Sequence, residues 1–394
     1  MKRKVLIIVE NLPVPPDPRV WKEACALEAA GYEVSVLSPK AKGYTRPYEI
    51  LDGIHIYRHP MPKEREGALG YALEYGCALF FESVFAWWIF LTRGFKVIQG
   101  CNPPDTIFIV ALMFRLFGVR YIFDHHDVNP ELYLAKYGRE DVLYRLQVFL
   151  EKMTFRTSRV VIATNESYRE LAETRGGKLP SDVFVVRNGP NFETFRKTPL
   201  HPELKFGKPY LVGYVGNMSI QEGLDILLEV ALYVKKKGRD DIHFTCVGGG
   251  PSLASLRLMT TEMGLDDTVN FTGRVPDQQL LETLSAADVC VNPDKPCVMN
   301  DLSTMIKIAE YMALGKPIVQ FDLKEGRYTA SEASLYSDNQ NQVESFANNI
   351  LWLLDHPDER ARMGEFGRRR VENVLAWNYS VKNLLAAYDR AFLG

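Results

Sequence analysis

The six cysteines of this 394-residue chain, Cys25, Cys77, Cys101, Cys246, Cys290 and Cys297, form no C-x-x-C pair and have no histidine at ligand spacing. That argues against a zinc module or a disulfide scaffold and reads as reduced thiols, most of them in apolar runs. An excess of one charge is also missing. The formal net charge is -2, and a chain without a basic field cannot displace counterions from nucleic-acid phosphates, so no nucleic-acid partner is expected. A dinucleotide fingerprint is absent as well: the first apolar run leads into ENLPVPPDPR, with no G-x-G-x-x-G before the next helix. The glycines of VGGGPSLASL (247–256) follow a strand but lack that spacing. For them, close packing and a phosphate turn stay equally open.

The run that starts MKRKVLIIVENLP ends at Glu10 and Asn11, too short for a signal peptide. It reads as the first buried strand of a cytoplasmic protein. Residues 69–92, LGYALEYGCALFFESVFAWWIFLT, are long enough to cross a bilayer at about 1.5 Å per residue. However, Glu74 and Glu82 lie inside this run, and each charge near the centre would cost on the order of 2.5 kcal/mol or more. Spanning is therefore disfavoured. Two readings stay open: a helix packed within the first domain, or a peripheral helix whose aromatic flank, Phe80 to Phe90, dips into a membrane interface.

What the chain does have is length and rhythm. At 394 residues, 46% hydrophobic and 24% charged, it is expected to form two domains of roughly 150 to 200 residues. Apolar runs of strand length (4–9, 33–38, 54–58, 97–100, 120–125, 159–164, 183–187) alternate with helix-period segments. The rhythm breaks at GPNFETFRKTPLHPELKFGKP, a linker rich in Pro, Gly and charge, and restarts at Tyr210. The fold class read from this is α/β: two Rossmann-like, doubly wound parallel-sheet domains facing a cleft. Residues 1–195 and 209–375 form the domains, and 376–394 a last helix. Ligands in such sheets bind at the carboxyl ends of the strands.

One stretch, NDLSTMIKIAEYMALGKPIVQFD (300–322), carries chemistry. It reads as a helix from Ser303 to Leu314, N-capped by Ser303 or Thr304 with Asp301 beside them, then Gly-Lys-Pro and a buried strand. Met305, Ile308, Ala309 and Met312 form the core face. Ser303, Lys307 and Glu310 fall in one stripe about 60° wide on the other side. Free amides and Lys307 suit a phosphate, and Glu310 could accept two bonds from a ribose diol. A solvated surface with a Lys307–Glu310 ion pair is the competing reading.

KIAEYMALGKPIVQFD resembles the Glu-Ala-Met-Ala-x-Gly-x-Pro-Val signature of the family 4 glycosyltransferases, retaining enzymes of the GT-B fold. The similarity extends to VFVVRNGPNFETF, LVGYVGN, FTGRVPDQQLLETLSAADVCVNP and Trp377. The resemblance implies that Glu310 holds the nucleotide ribose and that the last helix returns to the N-terminal domain. It also shows departures. A second Glu common in the family is replaced by Leu302, and Asn217 and Glu222 stand where an Arg and a Lys usually neutralise the diphosphate. A branch with Ser/Thr-x-x-Lys-x-x-Glu is the better match, and it implies that Lys307, Arg274 and the helix amides carry the diphosphate.

Further candidates for the nucleotide sugar are Gly216 and Asn217, the Ser303 and Thr304 end of the helix at the phosphate, and Asn300 and Asp301, which could read sugar hydroxyls or simply cap the helix. In DHHDVNPELY, His126 and Asp127 match a polar pair near the donor sugar, and with Lys307 they are the catalytic candidates. His125 reads equally well as a core histidine. Arg19 is a candidate for acceptor or diphosphate, against a plain ion pair with Glu23 four residues on. The implied activity is transfer of a sugar, from a UDP-sugar, to a cell-surface polysaccharide or lipid-linked acceptor. No cofactor or metal is expected, because fixed positive groups would stabilise the leaving diphosphate. A nucleotide-sugar 2-epimerase and a non-catalytic partner subunit are the alternatives.

Overall fold

The computed structural model describes residues 2–61, 68–190, 192, 195–199 and 201–393, without the side chains of 68–74. The Glu74 side chain and the linker residues Asn191, Glu193, Thr194 and Leu200 thus lie outside the described residues. The chain forms two units: residues 1–188 with 380–394, and residues 189–379. The expected linker therefore groups with the second unit.

The first unit is built on an eight-stranded sheet in the order β3-β4-β2-β1-β5-β6-β7-β8. Its strands are β1 (Lys4–Val9), β2 (Glu33–Pro39), β3 (Tyr48–Leu51), β4 (Ile54–His59), β5 (Val97–Cys101), β6 (Arg120–His125), β7 (Val160–Ala163) and β8 (Val183–Val185). All pairings are parallel except β3 with β4. Val5 to Val9 are all buried, as required of a parallel strand covered on both faces. The helices are α1 (Pro18–Ala29), α2 (Ala68–Thr92), α3 (Phe108–Phe114), α4 (Asn129–Tyr137), α5 (Val142–Thr157) and α6 (Glu166–Thr174). The edge strand β3 and helix α4 are not legible in the sequence. β3 is four residues long and only half buried, and α4 is nine residues long with a weak apolar stripe.

The second unit has an all-parallel sheet in the order β11-β10-β9-β12-β13-β14. Its strands are β9 (Tyr210–Val215), β10 (Ile242–Val247), β11 (Val269–Gly273), β12 (Val289–Asn292), β13 (Ile318–Phe321) and β14 (Ser334–Ser337). Its helices are α7 (Leu224–Lys236), α8 (Leu253–Glu262), α9 (Asp277–Ala286), α10 (Val298–Leu302), α11 (Ile306–Ala313), α12 (Lys324–Ala330), α13 (Gln342–Asp355) and α14 (Pro357–Arg370). The last helix, α15 (Trp377–Phe392), belongs to the first unit from Ser380 onward.

The helix read from Ser303 to Leu314 is shorter than that and is preceded by a separate one, α10, which ends at Leu302. Ser303 and Met305 are extended, and the Ser303 hydroxyl donates back to the Met299 carbonyl at 2.7 Å. Local hydroxyl-to-backbone bonding of this kind competes with helix continuation. Helix α11 therefore starts at Ile306, with Met305 rather than Ser303 or Thr304 at the N-cap.

Helix α2 packs one face inward and leaves the other exposed. Ala78, Glu82, Ala86 and Ile89 are buried, whereas Phe80, Val84, Trp88 and Leu91 are exposed. The charge feared in a bilayer thus points into protein. Burial alone pushes the Glu82 carboxyl up to about 8, so the native state keeps a proton that the unfolded chain releases near pH 4.5. Stability then falls as pH rises through that window. Compared with a Glu82→Gln variant, the wild type should lose on the order of 3 kcal/mol between pH 5 and 8. Urea titrations of both proteins at the two pH values check this, and parallel behaviour would refute it.

Candidate functional site

In the second unit the strand order reverses between β9 and β12, the point at which open α/β sheets bind ligands. Gly216 and Asn217 follow β9, Asp294 follows β12, and Glu222 ends a short 3-10 turn before α7. Gly223 makes that turn with φ +67°, and a Cβ there would lie 1.9 Å from the Pro293 carbonyl oxygen. Into this cluster α11 sends Lys307. Its Nζ lies 2.5 Å from Glu222 Oε2, 2.8 Å from Asp294 Oδ1 and 4.8 Å from the Tyr214 ring centre. The Tyr214 hydroxyl donates to the Asn217 carbonyl at 2.7 Å and approaches Glu222 at 3.0 Å.

Lys307 is therefore not a free cation on a solvated stripe. It is 8% exposed. Burial works against its charge, but Asp294 and Glu222 outweigh burial and hold its pKa above the ordinary lysine range. Burial pushes Asp294 up to about 7 in spite of the ammonium. For Glu222 the ammonium outweighs burial and lowers the carboxyl. The expectation that Lys307 meets a diphosphate is corrected accordingly, because its charge is already balanced inside the protein.

The glycine run 247–256 proves to be packing. Gly248 has φ +130°, and a Cβ there would sit 2.0 Å from the Gly216 carbonyl oxygen. Beside it, the Arg274 side chain lies against Gly249, with Cγ 3.7 Å from where a Cβ would stand. Arg274 is exposed, and no described residue engages its guanidinium by a hydrogen bond or ion pair.

The remaining residues divide. Asn300 is buried, and its amide donates to the Gln221 and Lys295 carbonyls at 3.0 and 2.8 Å, tying two loops together rather than reading hydroxyls. Asp301 accepts from the Lys324 amide at 2.8 Å at the start of α12. Thr304 reaches Glu325 at 3.4 Å. Glu310 is half-buried on α11, three residues beyond Lys307.

The first unit holds a second cluster, at the carboxyl ends of β1, β5 and β6, and its strand order also reverses beside β1. Asp17 caps α1 and sets Arg19 in its first turn. Arg19 is buried; it donates to Asp124 at 2.8 Å and to the Val186 carbonyl at 2.9 Å, and forms an ion pair with Glu23 at 3.1 Å. Its Nε lies 2.9 Å from His126 Nε2, and Asn188 Oδ1 is 3.3 Å from Nη1. Arg19 is thus engaged at every nitrogen, with Glu23 only one of its partners. His126 Nε2 also lies 2.6 Å from Asp124 Oδ2. Burial opposes charge on His126, but Asp124 raises its pKa above the ordinary range. For Asp124, Arg19 and His126 overcome burial and hold the carboxyl far below the usual values.

Asn102 anchors the same loop. Its Oδ1 accepts from the His126 and Asp127 amides at 2.6 and 3.2 Å, and its Nδ2 donates to the Asp127 carbonyl at 2.7 Å. Asp127 itself is exposed. His125 is a core residue among Phe123, Phe155 and Tyr168, and burial pushes it down to about 3.

Among the described residues Cys101, Asp124 and His126 are grouped closely enough to hold a metal. The fit is poor: the Arg19 guanidinium already sits on two of them, and burial with Asp124 nearby keeps the Cys101 thiol protonated.

Sequence reading missed Glu222 and Asp294 as partners of Lys307, and Gln99, Asn102 and Asp124 as the frame around His126. A signal existed for two of them. Gln99 and Asp124 are polar residues in otherwise apolar buried strands, and such groups need partners.

The chain thus holds two parallel-sheet α/β units, each with a polar cluster at the point where its strand order reverses. The comparisons agree. Residues 16–189 match the model "Glycosyl transferase 4-like domain" and residues 209–356 match "Glycosyl transferases group 1". The chain belongs to this glycosyltransferase family and has its GT-B fold. It is 30% identical over 264 residues to the D-inositol 3-phosphate glycosyltransferase of Thermomonospora curvata, covering 61% of this chain and 59% of that protein. It is 27% identical over 256 residues to a GDP-mannose-dependent monoacylated alpha-(1-6)-phosphatidylinositol monomannoside mannosyltransferase of Corynebacterium glutamicum (62% and 61%). The matches thus span about three fifths of both relatives. The structure of sucrose-phosphate synthase from Thermosynechococcus elongatus superposes over 100% of both chains with a TM-score of 0.82 at 19% identity.

Because Lys307 pairs with the buried Asp294 and the half-buried Glu222, Lys307→Met should destabilise the protein by about 3–5 kcal/mol. Denaturant unfolding measures this. A midpoint equal to that of the wild type would show that the lysine is not what holds Asp294 and Glu222.

Proposed function

We propose that the protein transfers a sugar from a nucleoside diphosphate sugar, a UDP-sugar, to a cell-surface polysaccharide or lipid-linked acceptor with retention at the anomeric carbon. The observation that carries the reading is Arg274: an exposed cation just after β11 with no hydrogen-bond or ion-pair partner among the described residues, its side chain lying against Gly249, whose neighbours Gly248 and Gly250 pack on Gly216 and Asn217. In transfer, the bond from the anomeric carbon to the diphosphate oxygen breaks while the acceptor oxygen bonds the same face. The acceptor proton passes to the leaving diphosphate. The step needs stabilisation of the developing diphosphate charge, which Arg274 and nearby backbone amides supply without a metal. Glu310 takes the ribose. His126 and Asp127, in the acceptor-side domain, are assigned to the polar contact near the donor sugar.

A thermal-shift panel of UDP- and GDP-sugars tests the donor, since a ligand selective for the native state raises the midpoint. UDP-sugars should stabilise the wild type. Arg274→Ala should lower kcat/KM roughly 10- to 100-fold, and Glu310→Ala should weaken nucleotide binding about tenfold. A response to GDP-sugars alone would overturn the base assignment, and no response to any nucleotide would favour the non-catalytic subunit. Turnover of UDP-GlcNAc without acceptor would favour the epimerase.

A membrane-linked acceptor is supported by the outer face of α2. Phe80, Val84, Trp88 and Leu91 continue into Leu112 and Met113 of the adjoining α3 and Leu116 and Phe117 just after it, all exposed. Trp87 joins the two by packing on Phe114 and Phe117. Of the charged residues on α3 and the turn after it, Arg115 is the only one, and it is exposed. Vesicle flotation should show binding to anionic bilayers, weakened about tenfold per side chain by Trp88→Ser or Leu116→Ser. Unchanged flotation in both variants would exclude this face.

A further inference from the structure

The first-unit cluster reaches one residue that lies 289 positions from its nearest partner in sequence. Tyr388 of α15 is fully buried, and its hydroxyl donates to Gln99 Oε1 at 2.5 Å. We propose that Tyr388 is a positioning residue for His126, acting through Gln99 and Asp124.

A carboxamide has one accepting and one donating end. With Oε1 held by the phenol, Nε2 of Gln99 faces the other way and donates to Glu23 Oε2 at 2.6 Å and to Asp124 Oδ2 at 2.8 Å. That same Asp124 oxygen lies 2.6 Å from His126 Nε2. The hydroxyl therefore sets the polarity of the amide, the amide supplies a donor to the carboxylate, and the carboxylate orients the imidazole. The reverse amide orientation would aim Oε1 at two carboxyl groups.

His126 Nε2 has two neighbours and can serve one at a time. Protonated, it donates to Asp124. As a lone pair, it accepts from Arg19 Nε at 2.9 Å. The balance depends on how well Asp124 is otherwise solvated by donors. Without the phenol, Gln99 is free to turn over and Asp124 loses a donor. A carboxylate with fewer donors holds the imidazolium proton more tightly. The other charged or titratable groups around His126 are Arg19 and Glu23 from α1, Cys101 from β5, and His125 and Asp127 on its own segment. Of these, Glu23 accepts from the same Gln99 amide and loses that donor together with Asp124.

The catalytic consequence rests on the reading of His126 as a polar contact near the donor sugar, but the coupling itself does not. The test is an NMR titration of the His126 ring in the full chain, with its signals assigned by their loss in His126→Gln. Tyr388→Phe keeps the ring packing and should raise the His126 midpoint by about one pH unit. Gln99→Met, which removes the amide at similar volume, should move it the same way and stands in if the first variant does not fold. An unchanged midpoint in a folded variant overturns the proposal. The kcat–pH profile is then measured on the same proteins with donor KM as control. A limb of the profile that moves with the NMR midpoint supports both the coupling and the role of His126. A midpoint that moves under a fixed profile supports the coupling and removes His126 from the reaction.

Discussion

A parallel strand covered on both faces has no room for an unpaired charge, and this single constraint arranges both units. Residues such as Val5 to Val9 and Leu211 to Val215 are buried throughout, so polar chemistry collects where strands end. Reversal of strand order beside β1 and β9 separates the helices there and opens that edge. Two of the polar groups that do enter the sheet, Gln99 and Asp124, lie on adjacent strands near the carboxyl ends and bond each other. Every site residue discussed above descends from this geometry.

The second consequence concerns charge. Both clusters centre on one buried cation held by two carboxyl groups: Arg19 by Asp124 and Glu23, Lys307 by Glu222 and Asp294. In both, one carboxyl is lowered and the other is raised by burial, Glu23 to about 8 and Asp294 to about 7. One cation satisfies roughly one buried anion, so the second carboxyl is driven toward its neutral form. Such clusters fix loops more than they bind charged ligands, which is why the exposed Arg274 differs in kind from Lys307.

Much of the fold was legible because it is written in periodicity. β1 and β6 occupy the expected residues, β9 starts at the expected Tyr210, and α2 covers the expected 69–92. What escaped was short or locally contested: the edge strand β3, and the break at Ser303 to Met305, where a hydroxyl bond to Met299 overrides a helical pattern. The site was legible in its residue types but not in its pairings. Glu222 looked like a lost cation. It is better described as half of an exchange, because the lysine sits instead on α11 and needs a carboxylate across the loop. No local rule reveals a partner 85 residues away.

The same reasoning explains why the end of the chain matters to its middle. Helix α15 contributes Ser380 to the Arg187 carbonyl, Asn383 to the Val185 carbonyl and Arg390 to Asp182. These are ordinary docking contacts along β8 and its flanks, and any amphipathic helix could supply them. Tyr388 is different because its partner is Gln99, a polar group inside a buried strand, and that group has no water to fall back on. A hydrogen bond between two interior groups is costly to lose on either side. The helix therefore completes the first unit as a source of one indispensable donor, and the electrostatics of His126 are set in part by residues that the chain reaches last.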